Sequence, residues 1–160
     1  MGPPKRQLPH EFSGELPGGA HSAAPYCPGC LAVSGPAYGA DPDYPQRLAR
    51  DTSLSGWPLV FLVDDTGIAS RNIAFLWSTF TRFEPAADLY AASTRLHRHH
   101  LCYTPPLVLD CRMKPGYPEE LSADPEVSER VTRRWAEYFP DGRVEGAADS
   151  LGYGGFDLLD

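Results

Sequence analysis

Apolar positions along the chain fall into three short continuous runs and two stretches with helical period, set apart by segments rich in proline and glycine. The first run, Cys30-Leu31-Ala32-Val33-Ser34, is stopped by Gly35-Pro36 and predicts a short strand. The second, Pro58 to Val63, enters Asp64-Asp65 and Gly67, and an unbroken apolar run of that kind suits a strand buried on both faces. The third, Leu107-Val108-Leu109-Asp110-Cys111, follows Pro105-Pro106. Between the last two, Ile73, Leu76, Trp77 and Phe80 recur at i, i+3, i+4 and i+7, one face of an amphipathic helix with Ser70 placed as its N-cap. Asp88 to Ala92 reads as a further strand, and Pro45 to Asp51 as a short helix. Asp124 with Pro125 at the first helical position opens a last helix, whose apolar face is Val127, Val131, Trp135 and Tyr138 and which Pro140 stops. Strands alternating with helices predict an α/β domain, a small and mainly buried mixed sheet flanked by helices in a layered sandwich.

The ends lack either period. Residues 1–29 form a Pro/Gly-rich stretch that cannot bury enough apolar surface to offset its ordering entropy, and it is expected to be an irregular arm. Residues 141–160 are Gly-rich and acidic, either a disordered tail or a docking peptide through Phe156-Asp157-Leu158-Leu159. That leaves 30–140 as the folded domain. A length of 160 residues suits one domain with a core of its own. The formal net charge of -7 argues against nucleic acid or an anionic membrane as a partner, since such binding rests on Lys and Arg. No run approaches the roughly 20 apolar residues that span a bilayer, and the first residues lack the apolar stretch of a secretory signal. Four cysteines are too few for a disulfide scaffold and read as reduced thiols or metal ligands, so a cytoplasmic location is expected.

Several clusters carry possible chemistry. Cys27-Pro28-Gly29-Cys30 is a CxxC: half of a zinc site that His97, His99, His100, Cys102 or Cys111 would complete, a redox pair, or simply a turn with two small buried thiols. A thioredoxin-like use would place it after a strand and at a helix N-terminus, whereas here it precedes a strand. His97-Arg98-His99-His100-Leu101-Cys102 is read as a polar connection between apolar runs, either a solvated loop or a source of proton donors, metal ligands or anion binders. Asp64 and Asp65 either bind a cation or act as an acid/base pair, or cap the turn after the strand. Arg82 either complements a helix dipole or binds a carboxylate or phosphate. Gly-rich phosphate loops, GxSxG and HExxH are missing, so spacing alone yields no catalytic set.

Several of these segments stand in an order that resembles the C-terminal domain of the UbiD-type carboxy-lyases. They are an apolar strand ending in Val63-Asp64-Asp65, the pair Leu76-Trp77, and Thr81-Arg82-Phe83-Glu84-Pro85-Ala86-Ala87-Asp88, similar to the family's Thr-Arg-x-x-Pro-x-x-Asp. His99-His100-Leu101-Cys102 is similar to a His-Trp-x-Cys stretch, with His100 where some members carry Trp. Asp110-Cys111-Arg112-Met113-Lys114-Pro115 resembles Asp-Ala-Arg-x-Lys-Pro, and Asp124-Pro125-Glu126-Val127 the start of a late helix. The resemblance runs from about Cys30 to Tyr138. It implies a decarboxylase or carboxylase of aromatic or unsaturated carboxylic acids that uses prenylated FMN with a metal ion. The cofactor-binding domain of the family has no counterpart in residues 1–29, so the resemblance implies a detached small subunit, inactive alone. Its implied partner is a large flavin-bearing subunit in a hetero-oligomer, with His97, His99, His100, Leu101 and Cys102 lining the substrate pocket. The rival expectations are a zinc-binding interaction or assembly protein that uses Cys27, Cys30 and the His97–Cys102 stretch, and a residual regulatory or dimerising fragment.

Overall fold

The structure, a computed structural model, describes residues 7–118 and 124–138. The chain divides into a unit that ends at Tyr117 and a second that begins at Pro118.

The three apolar runs make the centre of the first unit. β2 (Cys30–Ser34) and β3 (Leu59–Val63) pair in parallel, and β3 pairs in parallel with the end of the long strand β5 (His100–Asp110), Leu59 opposite Leu107 through Leu62 opposite Asp110. Antiparallel strands flank them, β1 (Ser22–Cys27) beside β2 and β4 (Leu89–His97) beside β5, for a sheet order of β1-β2-β3-β5-β4. Successive side chains point to opposite faces. Leu31, Val33, Val60, Leu62 and Val108 therefore meet Tyr44, Leu48, Leu54 and Trp57 on one face, from α1 (Tyr44–Leu48) and the 3-10 turn Thr52–Leu54 with its sequel. Ala32, Phe61, Val63 and Leu109 meet Ala69 and Phe75 on the other, from the 3-10 turn Thr66–Ser70 and α2 (Asn72–Arg82). Both faces are covered, which is why the runs are continuous rather than alternating. The expected layered α/β architecture is present.

Three expectations are corrected here. Ser22–Cys27, read as part of an irregular arm, is strand β1. Pro25 and a register shift around Tyr26 hide it in the sequence, and both are tolerated because β1 lies at the sheet edge, paired only with β2. Ser70 does not cap α2: it ends the preceding 3-10 turn, and its hydroxyl donates to the Gly67 carbonyl at 3.0 Å. The apolar face of α2 is not the one that packs. Phe75 is fully buried, stacked on Tyr26 with ring centroids 3.7 Å apart and edge-on to Phe61 at 4.9 Å. Thr79 lies beneath the same face with its hydroxyl donated to the Phe75 carbonyl at 2.6 Å, so a polar residue is buried without an unmet hydrogen bond. Ile73, Leu76, Trp77 and Phe80 are 40, 42, 68 and 55% exposed. The period was correct but the buried arc sits to one side of it.

In the second unit Asp124 caps α3 (Pro125–Arg133) as expected, its carboxylate accepting from the Glu126 and Val127 backbone N–H groups at 2.8 and 3.4 Å. A short α4 (Trp135–Tyr138) follows after a break at Arg134 in place of one continuous helix. Val127, Val131 and Trp135 are exposed. Pro140 and the 141–160 tail lie outside the described residues.

Between β1 and β2 the chain turns on Pro28-Gly29, with Gly29 at φ +81, the left-handed value a Pro-Gly turn requires at its second position. A Cβ there would sit 3.1 Å from a Leu8 methyl and 3.2 Å from Pro58 Cγ. Gly29→Ala is therefore expected to lower stability by about 1–2 kcal/mol, read as a fall in urea midpoint at unchanged slope.

Candidate functional site

Most of the charged motif residues gather where β3 and β5 end, and they bind one another. Asp110 closes β5 and turns its carboxylate onto Arg112, two residues on. Arg112 Nε and Nη2 donate to its two oxygens at 2.8 and 2.7 Å, and both side chains are fully buried. Arg112 Nη1 donates to the carbonyls of Pro36 and Asp41 at 2.8 and 2.9 Å, which ties the end of β2 to the end of β5. The Tyr38 ring lies 5.3 Å from the guanidinium.

Lys114 is placed with similar economy. Its ammonium has three hydrogens and three acceptors, the Asp88 carboxylate at 3.0 Å and the carbonyls of Arg82 and Asp110, each at 2.9 Å. The rings of Tyr38 and Tyr117 lie 5.8 and 5.7 Å from it. Asp88 also accepts from the Glu84 backbone N–H at 2.7 Å, closing the turn through Pro85 that leads from α2 into β4. Asp64 accepts from Arg82 Nη1 at 3.0 Å and from the Met113 backbone N–H at 2.8 Å, while Asp65 accepts from Gly67 at 2.9 Å and caps the following 3-10 turn. Thr81 donates to the Trp77 carbonyl at 2.7 Å, and Trp77 projects from α2.

The set Asp64, Arg82, Asp88, Asp110, Arg112 and Lys114 is thus a closed lattice that fixes residues 110–117 over the strand ends. Its backbone partners at Pro36 and Asp41 come from far along the chain, and the sequence reading missed them with Tyr38 and Tyr117. The nearest signal was Gly35-Pro36, which ends β2 beside the same strand ends.

The histidines lie elsewhere and in another form than expected. Residues 97–102 are not a loop. β4 and β5 run on past β3 as a two-stranded ribbon, with His97 opposite His100, Leu96 opposite Leu101, Arg95 opposite Cys102, Thr94 opposite Tyr103 and Ser93 opposite Thr104. The ribbon turns on Arg98 and His99, both left-handed at φ 49 and 65, a two-residue turn that usually takes Asn-Gly. Side chains alternate between its faces. Arg95, His97, His100 and Cys102 share one face with the hydroxyls of Ser93 and Thr104, which bond at 2.9 Å. Leu96, Leu101 and Tyr103 share the other, with Leu96 71% exposed. There is no Asp or Glu from Leu89 to Leu109 in a chain of net charge -7. A cleft of about 230 Å³ between α1 and the root of β4 is lined by Gln46, Arg50 and residues 89–94. That is below the roughly 300–1,000 Å³ of typical small-molecule sites.

The zinc expectation is corrected. Cys27 and Cys30 flank the β1–β2 turn at one edge of the sheet, and the histidines ride the β4–β5 ribbon at the other. They cannot share an ion. Among the described residues no group of three or more His, Cys, Asp or Glu side chains could hold a metal. Cys111 is a packing residue: burial first, then the Asp110 carboxylate, pushes its thiol up to about 12. Iodoacetamide is expected to modify the exposed Cys27 within minutes and to spare Cys111 until denaturant is added, as read by peptide mass mapping. Among the described residues no helix is long and apolar enough to cross a membrane.

No family model matches the chain. An uncharacterized protein of Chlamydia trachomatis serovar D is 38% identical over 141 residues, which cover 88% of this chain and 24% of that protein. A Chlamydia pneumoniae protein, named as one of the subunits of 4-hydroxybenzoate decarboxylase, is 36% identical over 137 residues, 85% of this chain and 23% of that protein. The chain spans about a quarter of the length of the curated relatives it matches. Among solved structures, the vanillic acid decarboxylase of Sedimentibacter hydroxybenzoicus in open form overlays with a TM-score of 0.43 at 14% identity, covering 78% of this chain and 30% of that one. That overlay is too loose to carry weight beside the sequence matches.

Proposed function

Because this chain is a homologue of a protein named as a decarboxylase subunit, as its motifs implied, we propose that it is the small, accessory subunit of a split UbiD-type decarboxylase or carboxylase. Its substrate class is an aromatic or unsaturated carboxylic acid, and its partner is a large flavin-bearing chain. Loss of CO2 from an sp2 carbon leaves electrons that no side chain can accept, and prenylated FMN with a metal ion is the group that supplies that sink in this family. The buried cations here do not form a cradle for it. Arg112 and Lys114 spend their hydrogens on Asp110, Asp88 and backbone carbonyls, and Arg82 is paired with Asp64. The cofactor is accordingly assigned to the partner.

This chain then contributes a wall and a proton-handling edge. The observation that carries the reading is the two-faced ribbon, which has charge and imidazoles on one side, Leu96, Leu101 and Tyr103 on the other, and both sides open in this chain. Set against the large subunit, the apolar face excludes water from the reacting acid. Leu101 is part of that apolar wall, and at the tip of the ribbon, where the two faces meet, the turn residue His99 with His97 and His100 reaches the acid's carboxylate or ring substituent, with Cys102 next along the imidazole face. The exposed face of α2 (Ile73, Leu76, Trp77, Phe80) is the assembly surface, in line with the rule that a large open apolar patch marks an interaction site.

The test is co-expression with the flavin-bearing chain and measurement of CO2 release from a panel of aryl and unsaturated acids. Activity is expected only in the complex, with His99→Ala and His100→Ala each lowering the rate at least tenfold or changing the preferred acid. Unchanged rate and preference in both variants removes the ribbon from the site. Turnover by the isolated chain with its own flavin overturns the whole reading.

A further inference from the structure

We propose that Cys27 and Cys30 form a reversible disulfide across the β1–β2 turn, which makes this hairpin a thiol–disulfide exchange site. The two residues are register partners on either side of Pro28-Gly29. Directly opposed residues of an antiparallel pair have Cα atoms roughly 4.5–5.5 Å apart, inside the roughly 4.4–6.8 Å window of a disulfide. The two thiols are close enough to act on one another electrostatically. The turn between them is held from outside. Gly29 N–H donates to the Pro9 carbonyl at 2.8 Å, the Gly29 carbonyl accepts from Leu59 N–H at 3.2 Å, and Leu8 methyls lie over the Gly29 Cα. Packing explains only half of the pair: Cys30 lies partly buried against the cluster around Phe61 and Phe75, but Cys27 is exposed. Metal binding does not explain it either, with no third ligand among the described residues.

Oxidised glutathione is the co-reactant. The Cys27 thiol loses its proton and its sulfur attacks one sulfur of glutathione disulfide, forming a Cys27–glutathione bond. The glutathione disulfide bond breaks, and the first glutathione leaves and takes up a proton. Cys30 then loses its proton and attacks Cys27 Sγ, the Cys27–Cys30 bond forms, and the second glutathione leaves and is protonated. Two protein thiols are oxidised and one glutathione disulfide is reduced to two thiols. Cys27 reacts first because it is the accessible sulfur, while burial and the neighbouring Cys27 hold the Cys30 thiol up to about 11. Any strain from bridging so tight a turn favours the reverse reaction, which suits reversibility. The bridge would lock an edge strand whose next residue inward, Tyr26, stacks on Phe75 and hydrogen-bonds Asn72 at the start of α2.

The experiment equilibrates the full chain in a series of reduced-to-oxidised glutathione ratios and maps the products by mass spectrometry. The expected product is a peptide bearing a Cys27–Cys30 link, lighter by two hydrogens, formed in oxidised buffer and reversed by excess reduced glutathione. Amide exchange over Ser22–Cys27 should slow at least threefold in that form. Cys30→Ser should accumulate a glutathione adduct on Cys27, and Cys27→Ser should leave Cys30 unlinked. A wild-type chain that stops at the Cys27 adduct overturns the proposal, as does one that links Cys27 to Cys102 or to a second chain.

Discussion

Arg112→Met is expected to lower the stability of the protein by about 3–5 kcal/mol, the range for removing one partner of a buried ion pair. The side chain is fully buried, and its loss leaves the Asp110 carboxylate without a counter-charge where water cannot reach it. The carbonyls of Pro36 and Asp41 lose their shared donor in the same step. The penalty thus comes from what is stranded more than from what the pair contributes. Arg112→Lys should recover little, because an ammonium cannot offer Nε and Nη2 to one carboxylate while Nη1 serves two carbonyls. The double variant Asp110→Asn/Arg112→Met should lie closer to wild type than the sum of the singles. Urea unfolding measures all of these. A loss below about 1 kcal/mol for Arg112→Met would show that the lattice is not what holds residues 110–117 in place.

Phe75→Ala should be of similar size, about 3–5 kcal/mol, because it opens a cavity beneath α2 and removes the stack on Tyr26 and the edge contact with Phe61. Trp77→Ala, on the same helix, should change stability by no more than about 0.5 kcal/mol. The larger aromatic is the less important one for folding because it is 68% exposed, whereas Phe75 is fully buried. Any effect of Trp77→Ala should instead appear in co-purification with the flavin-bearing partner proposed above. If Trp77→Ala unfolds the isolated chain, α2 is packed the other way round and the assembly surface assigned to it is wrong.

The central strands were legible because a parallel strand covered on both faces has to be apolar at every position, and Leu31–Val33 and Val60–Val63 are. The presence of α2 was legible for a related reason, as its apolar residues keep the helical period, but its bounds were not: Ser70 ends the preceding turn and Arg82 lies within the helix. Which arc of it packs was not, since Ile73-Leu76-Trp77-Phe80 and Phe75-Thr79 both fit that period, and only the position of Phe61 and Tyr26 selects between them. β1 was hidden by Pro25, which a central strand would exclude and an edge strand accepts. At the candidate site the ribbon was poorly legible: Ser93-Thr94-Arg95 is polar at three successive positions and Leu101-Cys102-Tyr103 apolar at three, so neither strand shows the alternation that marks a two-faced ribbon.

What the sequence determined by itself is the three central strand runs, the helix start at Asp124, the presence of α2, and the kinship carried by its motifs. These depend on near neighbours in the chain or on residue order, and both are written in one dimension. The tertiary structure decided the role of each charge and the fate of each apolar face. Arg112 meets carbonyls more than seventy residues away, Cys27 and the histidines end at opposite sheet edges, and Trp77 is left in the open. A charge or an apolar face is defined by what closes over it, and that partner comes from a distant part of the chain.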